Sequence, residues 1–286
     1  MSTPGLNSGG LWVRLGTLAT LVFAVGPIAL DAEGERVRAT LAAALGRALR
    51  VDVEIRPALT YRELLGWVGR REVQIAWLGP ALFVQAHARF GVEPLVRMER
   101  EGRASFRGAL FVREDADITT PEQLAGKRVA WVDPDSCAGF LFPRIALAQR
   151  GLDPDRLFAD MRILGSHGAV VAAVASSQVD IGATFVEHVD PDDPSTAIAR
   201  AGWSQADVPM RAVLTSDPIP GDVIAATRVL DERWRARIVE VLEALDRDPD
   251  GAPAMRALFQ AARLVPAVSD DYAPVRDALR AAGVRI

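Results

Sequence analysis

Short apolar runs that stop at glycine, proline or aspartate constrain this chain more than any other feature. Leu21–Val25 ends at Gly26 and Pro27, and Val73–Leu78 ends at Gly79 and Pro80. Val129–Val132 follows the charged turn Gly126, Lys127, Arg128 and runs into Asp133, Pro134 and Asp135. Each run is too short for a helix and suits a strand buried on both faces. Segments of helical spacing lie between them. Glu33–Leu49 places Val37, Leu41, Ala44, Leu45 and Leu49 near one face. Thr60 and Glu63 have the spacing of a capping box ahead of inward-facing Leu64, Leu65 and Val68. Val51–Ile55 alternates as a strand does, and Ala81–Arg89 reads as helix. Strands and helices in alternation predict an α/β chain with a largely parallel sheet.

The pattern restarts after a longer apolar strand, Phe106–Arg113. Helix is predicted over Pro121–Leu124, Leu141–Arg150 and Ala169–Ser176, and strand over Arg162–Leu164 and Val179–Thr184. A strand at Arg211–Thr215 leads into the turn formers Asp217, Pro218, Ile219, Pro220, Gly221 and Asp222. Amphipathic helices over Asp231–Leu245, Pro253–Ala262 and Val275–Ala282 finish the chain. Two βα units joined by long strands, with the chain returning at its end, predict two lobes and a ligand cleft between them. The crossings are expected near Arg103–Arg113 and Arg211–Pro220. The expected division is a flexible leader at 1–10, one lobe from 11–105 plus 216–286, and a second from 106–215.

Composition narrows the function. The 286 residues are 50% hydrophobic and 24% charged, as in a globular protein of one large or two ordinary domains. A net charge of −4 leaves no electrostatic footprint for nucleic acid or an anionic membrane. Cys137 is the only cysteine, which excludes an internal disulfide and a cysteine-based metal site. The three histidines, His87, His167 and His188, leave little for another kind of metal site, and no cofactor is expected. Leu11–Leu30 is broken by Arg14, Gly16, Gly26 and Pro27, which argues against a spanning helix. As a signal peptide it lacks a basic start before Arg14 and has Leu30 three positions before the best cleavage point, after Ala32. If Met1 is the true start, the expected location is the cytoplasm.

The densest chemical signal is VAWVDPDSCAGFLFPR, Val129–Arg144. A strand, a turn of small residues (Ser136, Cys137, Ala138, Gly139) and a helix N-terminus present free N–H groups and the positive end of the helix dipole to an anion. The same pattern also describes an ordinary strand-to-helix turn. Cys137 at a helix start is either a reactive thiol or a small pocket-lining residue.

Longer stretches carry a resemblance. VQIAWLGPALFVQAHARFGVEPLVR, FRGALFVREDADITTPEQLAGKRVAWVDPDSCAGFLFPR, LGSHGAVVAAVASSQVDIGATF (164–185) and SDPIPGD (216–222) resemble the substrate-binding proteins of phosphate, phosphite and phosphonate ABC transporters. The resemblance runs from about Leu21 to Ala262. It implies a type II periplasmic-binding-protein-like fold, two α/β lobes joined by a two-strand hinge, and a non-catalytic protein that closes over a small anion or zwitterion. An ABC permease, or a signalling protein in a ligand sensor, is the implied partner, and most relatives act as monomers, usually in the periplasm.

In that family the turn usually reads Ser-Thr-Ser-Gly, whose hydroxyls and N–H groups hold the oxyanion. Here Ser136 keeps one hydroxyl, while Cys137 and Ala138 lose two. Each charge-assisted bond lost costs roughly 1.5–3 kcal/mol. His167 falls where a histidine contacts the oxyanion, and Tyr61 where an aromatic closes over the ligand. Glu187 and Asp222 match carboxylates that pair with a substrate ammonium. Read without the resemblance, these four are a capping histidine, a surface tyrosine and two solvated loop charges. Trp77 is core or ligand wall, and Leu78 stands where the family often has tyrosine. Two other functions are open: an enzyme on this fold using Cys137 with His167 as nucleophile and base, and a degenerate protein that serves as a partner surface.

Overall fold

The computed structural model describes residues 18–27, 31–100, 102–190 and 193–284. The leader expected at 1–10 lies outside the described residues. β1 (Thr20–Val25) is flanked in parallel by β2 (Asp52–Pro57) and β3 (Ile75–Leu78). The connections are α1 (Ala32–Leu49) and α2 (Tyr61–Gly69), and α3 (Pro80–Phe90) follows β3 directly. Asp31 caps α1, accepting the Gly34 N–H at 2.8 Å. Thr60 caps α2, accepting the Glu63 N–H at 3.0 Å, and the Glu63 carboxylate returns to the N–H of Leu59 rather than Thr60. The expected capping box is therefore shifted by one residue on its return bond.

The apolar runs are continuous because both faces of the sheet are covered. Phe23 and Ile75 face a core with Leu41 and Leu45 of α1, whereas Ala24 and Ala76 face Leu64 of α2 and Leu82 of α3. The sheet is less parallel than predicted. β4 (Glu93–Glu99) pairs antiparallel with β11 (Val223–Ala226) and β12 (Arg263–Pro266), giving the order β12-β4-β11-β3-β1-β2. These strands carry no periodic signal: β4 mixes a proline with three charges, and β11 is four buried residues long. α6 (Glu232–Glu243) and α7 (Gly251–Phe259) cover the α1 face, and α8 (Ala273–Ala281) the other.

The second sheet has the order β10-β5-β8-β6-β7, with β9 on β8. Its strands are β5 (Ser105–Arg113), β6 (Arg128–Trp131), β7 (Asp160–Ile163), β8 (Ile181–His188), β9 (Ile198–Ala201) and β10 (Met210–Pro220). α4 (Phe142–Gln149) and α5 (His167–Ala175) pack on it, while Pro121–Leu124 makes only a 3-10 turn. Two strands outrun their predicted ends. β10 continues through Pro218 and Pro220 because it is an edge strand, where a missing N–H breaks no ladder, and register shifts absorb the irregularity. β8 continues past Thr184 to His188 because β5 and β9 pair with it on either side.

The chain leaves the first sheet after β4, enters the second at β5 and returns from β10 into β11. β5 and β10 lie antiparallel from Arg113 opposite Met210 to Ser105 opposite Pro220, so both crossings fall side by side. Tyr272 is buried beside the return crossing, and its hydroxyl donates to the Gly221 carbonyl at 2.9 Å. Replacing Tyr272 with Phe strands that carbonyl and is expected to cost about 1 kcal/mol. The check is urea unfolding, with a lower midpoint and an unchanged slope.

Candidate functional site

A cavity of about 300 Å³ opens between the two sheets, and both contribute its walls. Tyr61, Trp77, Ser136, Cys137, Ala138, His167, Glu187 and Asp222, eight of the nine predicted site residues, line it. The ninth, Gly139, sits behind the wall. A Cβ there would come within 2.3 Å of Val132, so glycine is required by the fold of the turn rather than by a ligand.

The turn after β6 is built around Ser136. Its Oγ accepts the Gly139 N–H at 3.0 Å and its carbonyl accepts the Leu141 N–H at 3.0 Å, opening a π-helical turn over Cys137–Leu141 before α4. The Ser136 hydroxyl keeps its own proton for the cavity. The amides of Cys137 and Ala138 precede the first bond of this ladder, as the opening N–H groups of a helix do. Cys137 has a different task from the hydroxyl it replaces. Gly79 caps α3 without a side chain and Pro80 has no N–H, so the Ala81 N–H is the first donor of α3. The Cys137 sulfur accepts it at 3.1 Å, from the opposite sheet. Burial, then the nearby carboxylates of Asp222 and Asp135, push the thiol well above the usual range. Such a thiol is not a ready nucleophile.

His167 opens α5, whose N-cap is Ser166. Its Nδ1 lies 2.8 Å from Thr184 Oγ1, and its ring meets Phe185 edge-on with centroids 5.5 Å apart. Burial pushes its pKa down to about 4, so near neutral pH the imidazole is uncharged. In the tautomer whose Nδ1 accepts from the threonine, Nε2–H is left as a neutral donor. Thus His167 is held by Thr184 and Cys137 by Ala81, and the two are not paired as nucleophile and base. Tyr61, at the first position of α2, touches apolar clusters on both sides of the cleft. Burial and the Asp222 carboxylate raise its hydroxyl pKa, keeping it a proton donor.

The carboxylates depart furthest from expectation. Glu187 lies on β8, not in a loop, and is only 3% exposed. Directly across the ladder stands Arg200 on β9, whose Nη2 and Nε meet the two Glu187 oxygens at 2.5 and 3.1 Å. Arg100, at the end of β4, reaches Asp222 through Nη2 at 3.0 Å and lies 3.8 Å from Glu187. Guanidinium groups therefore occupy the place where the sequence suggested a ligand ammonium. Arg200 also contacts Gln260 and lies over the Phe185 ring at 4.8 Å. Sequence reasoning missed Arg100, Arg200 and Gln260. Arg200 was discoverable only through β9, a four-residue strand with no flanking signal, and Arg100 only through β4. Among the described residues no group of acidic, histidine or cysteine side chains is placed to hold a metal. None of the described helices is long and apolar enough to cross a membrane.

The comparisons agree with this architecture. Residues 23–272 match the family described as ABC transporter, phosphonate, periplasmic substrate-binding protein. The phosphate-import protein PhnD of Mycolicibacterium smegmatis is 29% identical over 188 residues, covering 62% of this chain and 57% of that protein. The tetrathionate sensor histidine kinase TtrS of Salmonella typhimurium is 34% identical over 201 residues, covering 68% of this chain and 31% of that protein. The chain thus spans less than two thirds of either relative. PhnD1 from Prochlorococcus marinus, solved with methylphosphonate, superposes with a TM-score of 0.75 at 18% identity, covering 93% of this chain and 98% of that one. The fold is that of type II periplasmic binding proteins, and the chain belongs to the phosphonate substrate-binding family, whose members are binding proteins rather than enzymes.

Two outcomes follow from the buried groups. A histidine with a depressed native pKa gives a fold whose stability is complete above the unfolded value near 6.5 and is lost as pH falls toward about 4. Ligand-free protein should lose roughly 1–3 kcal/mol over that window through this group, and His167→Gln should lose correspondingly less in urea titrations at pH 7 and pH 5. Cys137 should resist thiol reagents at pH 8 in the native protein and react fully after unfolding, as followed by absorbance.

Proposed function

We propose that this protein captures a small oxoanion, of the phosphonate, phosphate or phosphite type, between its two lobes and closes over it. The observation that supports this reading most is the convergence of helix N-termini on one cavity. α2 presents Tyr61, the π-helical turn presents Ser136, Cys137 and Ala138, and α5 presents His167. Each brings N–H groups and a positive dipole end to the same space. Ser136 and His167 are the assigned oxyanion donors, and Tyr61 and Trp77 the aromatic walls. Glu187 and Asp222 act through the arginines they hold. We place the lobes at 11–105 plus 216–286 and at 106–215, with the paired β5 and β10 as the hinge.

Delivery to an ABC permease is the role suggested by the family. The 34% identity to a tetrathionate sensor histidine kinase favours sensing as a second reading, in which the closed lobes signal to a partner. Calorimetric titration with methylphosphonate, phosphate, phosphite and tetrathionate tests the reading. Binding of at least one oxoanion is expected, weakened about tenfold or more by Ser136→Ala and by His167→Ala, since each removes one donor to a charged group. Binding that neither substitution changes would place the ligand elsewhere.

A further inference from the structure

The cavity has two polar ends, and the end away from the turn is rich in hydrogen-bond donors. Arg200 commits Nε and one hydrogen of Nη2 to Glu187 and one of Nη1 to Gln260. A second hydrogen remains on each Nη. Arg100 directs Nη2 to Asp222 and to the Phe259 carbonyl at 3.2 Å, while its buried Nε makes no hydrogen bond. Because Gln260 Oε1 accepts from Arg200, its amino group is left as a donor. The Trp77 indole N–H is buried in the same wall without an acceptor. Of the acceptors at this end, Glu187 is held by Arg200 through both oxygens and Asp222 by Arg100 through Oδ2.

A donor-rich end of this kind has two chemical consequences. An incoming ammonium would meet guanidinium groups, with both oxygens of Glu187 and one of Asp222 already engaged. An acceptor-only group would satisfy several N–H groups at once, with the planar guanidinium geometry suited to an oxoanion. Phe185 connects the two ends: its ring and that of His167 are edge-on with centroids 5.5 Å apart, and Arg200 Cζ lies 4.8 Å from its centre. The His167 ring centre and Arg200 Cζ are therefore no farther apart than the sum of those distances, the reach of a short chain. Phe106 and Phe259 add apolar wall between them.

We infer that the preferred ligand carries an oxoanion at both ends of a short apolar spacer, one at the Ser136–His167 end and the other at Arg100, Arg200 and Gln260. This specifies the ligand class of the site already proposed and rests on that proposal.

The test compares three ligands with one phosphonate head and different tails: phosphonopropionate, propylphosphonate and aminoethylphosphonate. Calorimetry at low salt is expected to show the carboxylate tail bound about tenfold or more tighter than the propyl tail, the gain of a charge-assisted bond. The ammonium tail should bind weakest. Arg200→Gln should remove the carboxylate preference, read as the ratio of phosphonopropionate to propylphosphonate affinity. Since that change bares the buried Glu187, Gln260→Leu serves as a second variant that leaves both ion pairs intact and should reduce the preference severalfold. Equal binding of the carboxylate and propyl tails, tightest binding of the ammonium tail, or a preference unchanged in both variants overturns the inference and leaves the oxoanion site standing. Failure of all three to bind overturns the inference, and the oxoanion reading falls with it only when methylphosphonate, phosphate, phosphite and tetrathionate fail as well.

Discussion

The antiparallel pairing of β5 with β10 is the constraint on which the rest depends. These are the strands through which the chain passes between the sheets, and their ladder brings Ser105 opposite Pro220. Both passages are thereby held at one place. The first sheet can then be assembled from residues far apart in sequence, with β11 inserted between β3 and β4. The same arrangement joins the two sheets, and the cavity is lined from both.

Apolar contact and hydrogen bonding between the two halves do what a conventional oxyanion turn would not. Cys137, Ala138, Leu141 and Phe142 belong to the same buried cluster as Leu82 and Phe83 of α3. The Cys137 sulfur caps a helix that begins with glycine and proline and has no cap of its own. The hydroxyls missing from the turn have thus been exchanged for contact between the halves. Gln85 adds to it, donating to Asp135 at 2.8 Å.

The ion pairs at the opposite end follow a similar logic. Removing Glu187 and Arg200 from water is costly, and mutual attraction alone does not reliably repay it. The pair is nevertheless specified in detail: the partners are cross-strand neighbours, share two contacts and are joined by Arg100 from the other sheet. A buried charge pair gives specificity more dependably than stability. Here it orients guanidinium groups into a cavity otherwise walled largely by aromatic and small residues.

What the sequence determined by itself was local. Apolar runs closed by Gly26–Pro27 and Gly79–Pro80 are legible because a strand buried on both faces has no polar alternation. The cap at Thr60 is legible because a short polar side chain before a periodic segment has few other uses. The place of Ser136 at the start of a helix follows from the same kind of reading, whereas His167 and Tyr61 were pointed to by the resemblance. Tertiary structure decided everything that depended on pairing. β4, β9, β11 and β12 exist because neighbours complete their ladders, and β8 runs on to Glu187 because β5 and β9 hold it. That Glu187 pairs with Arg200 across a ladder, and Asp222 with Arg100, was decided by tertiary structure. No spacing in the chain encodes that choice, since charge pairing over such separations is fixed only when the strands have found one another.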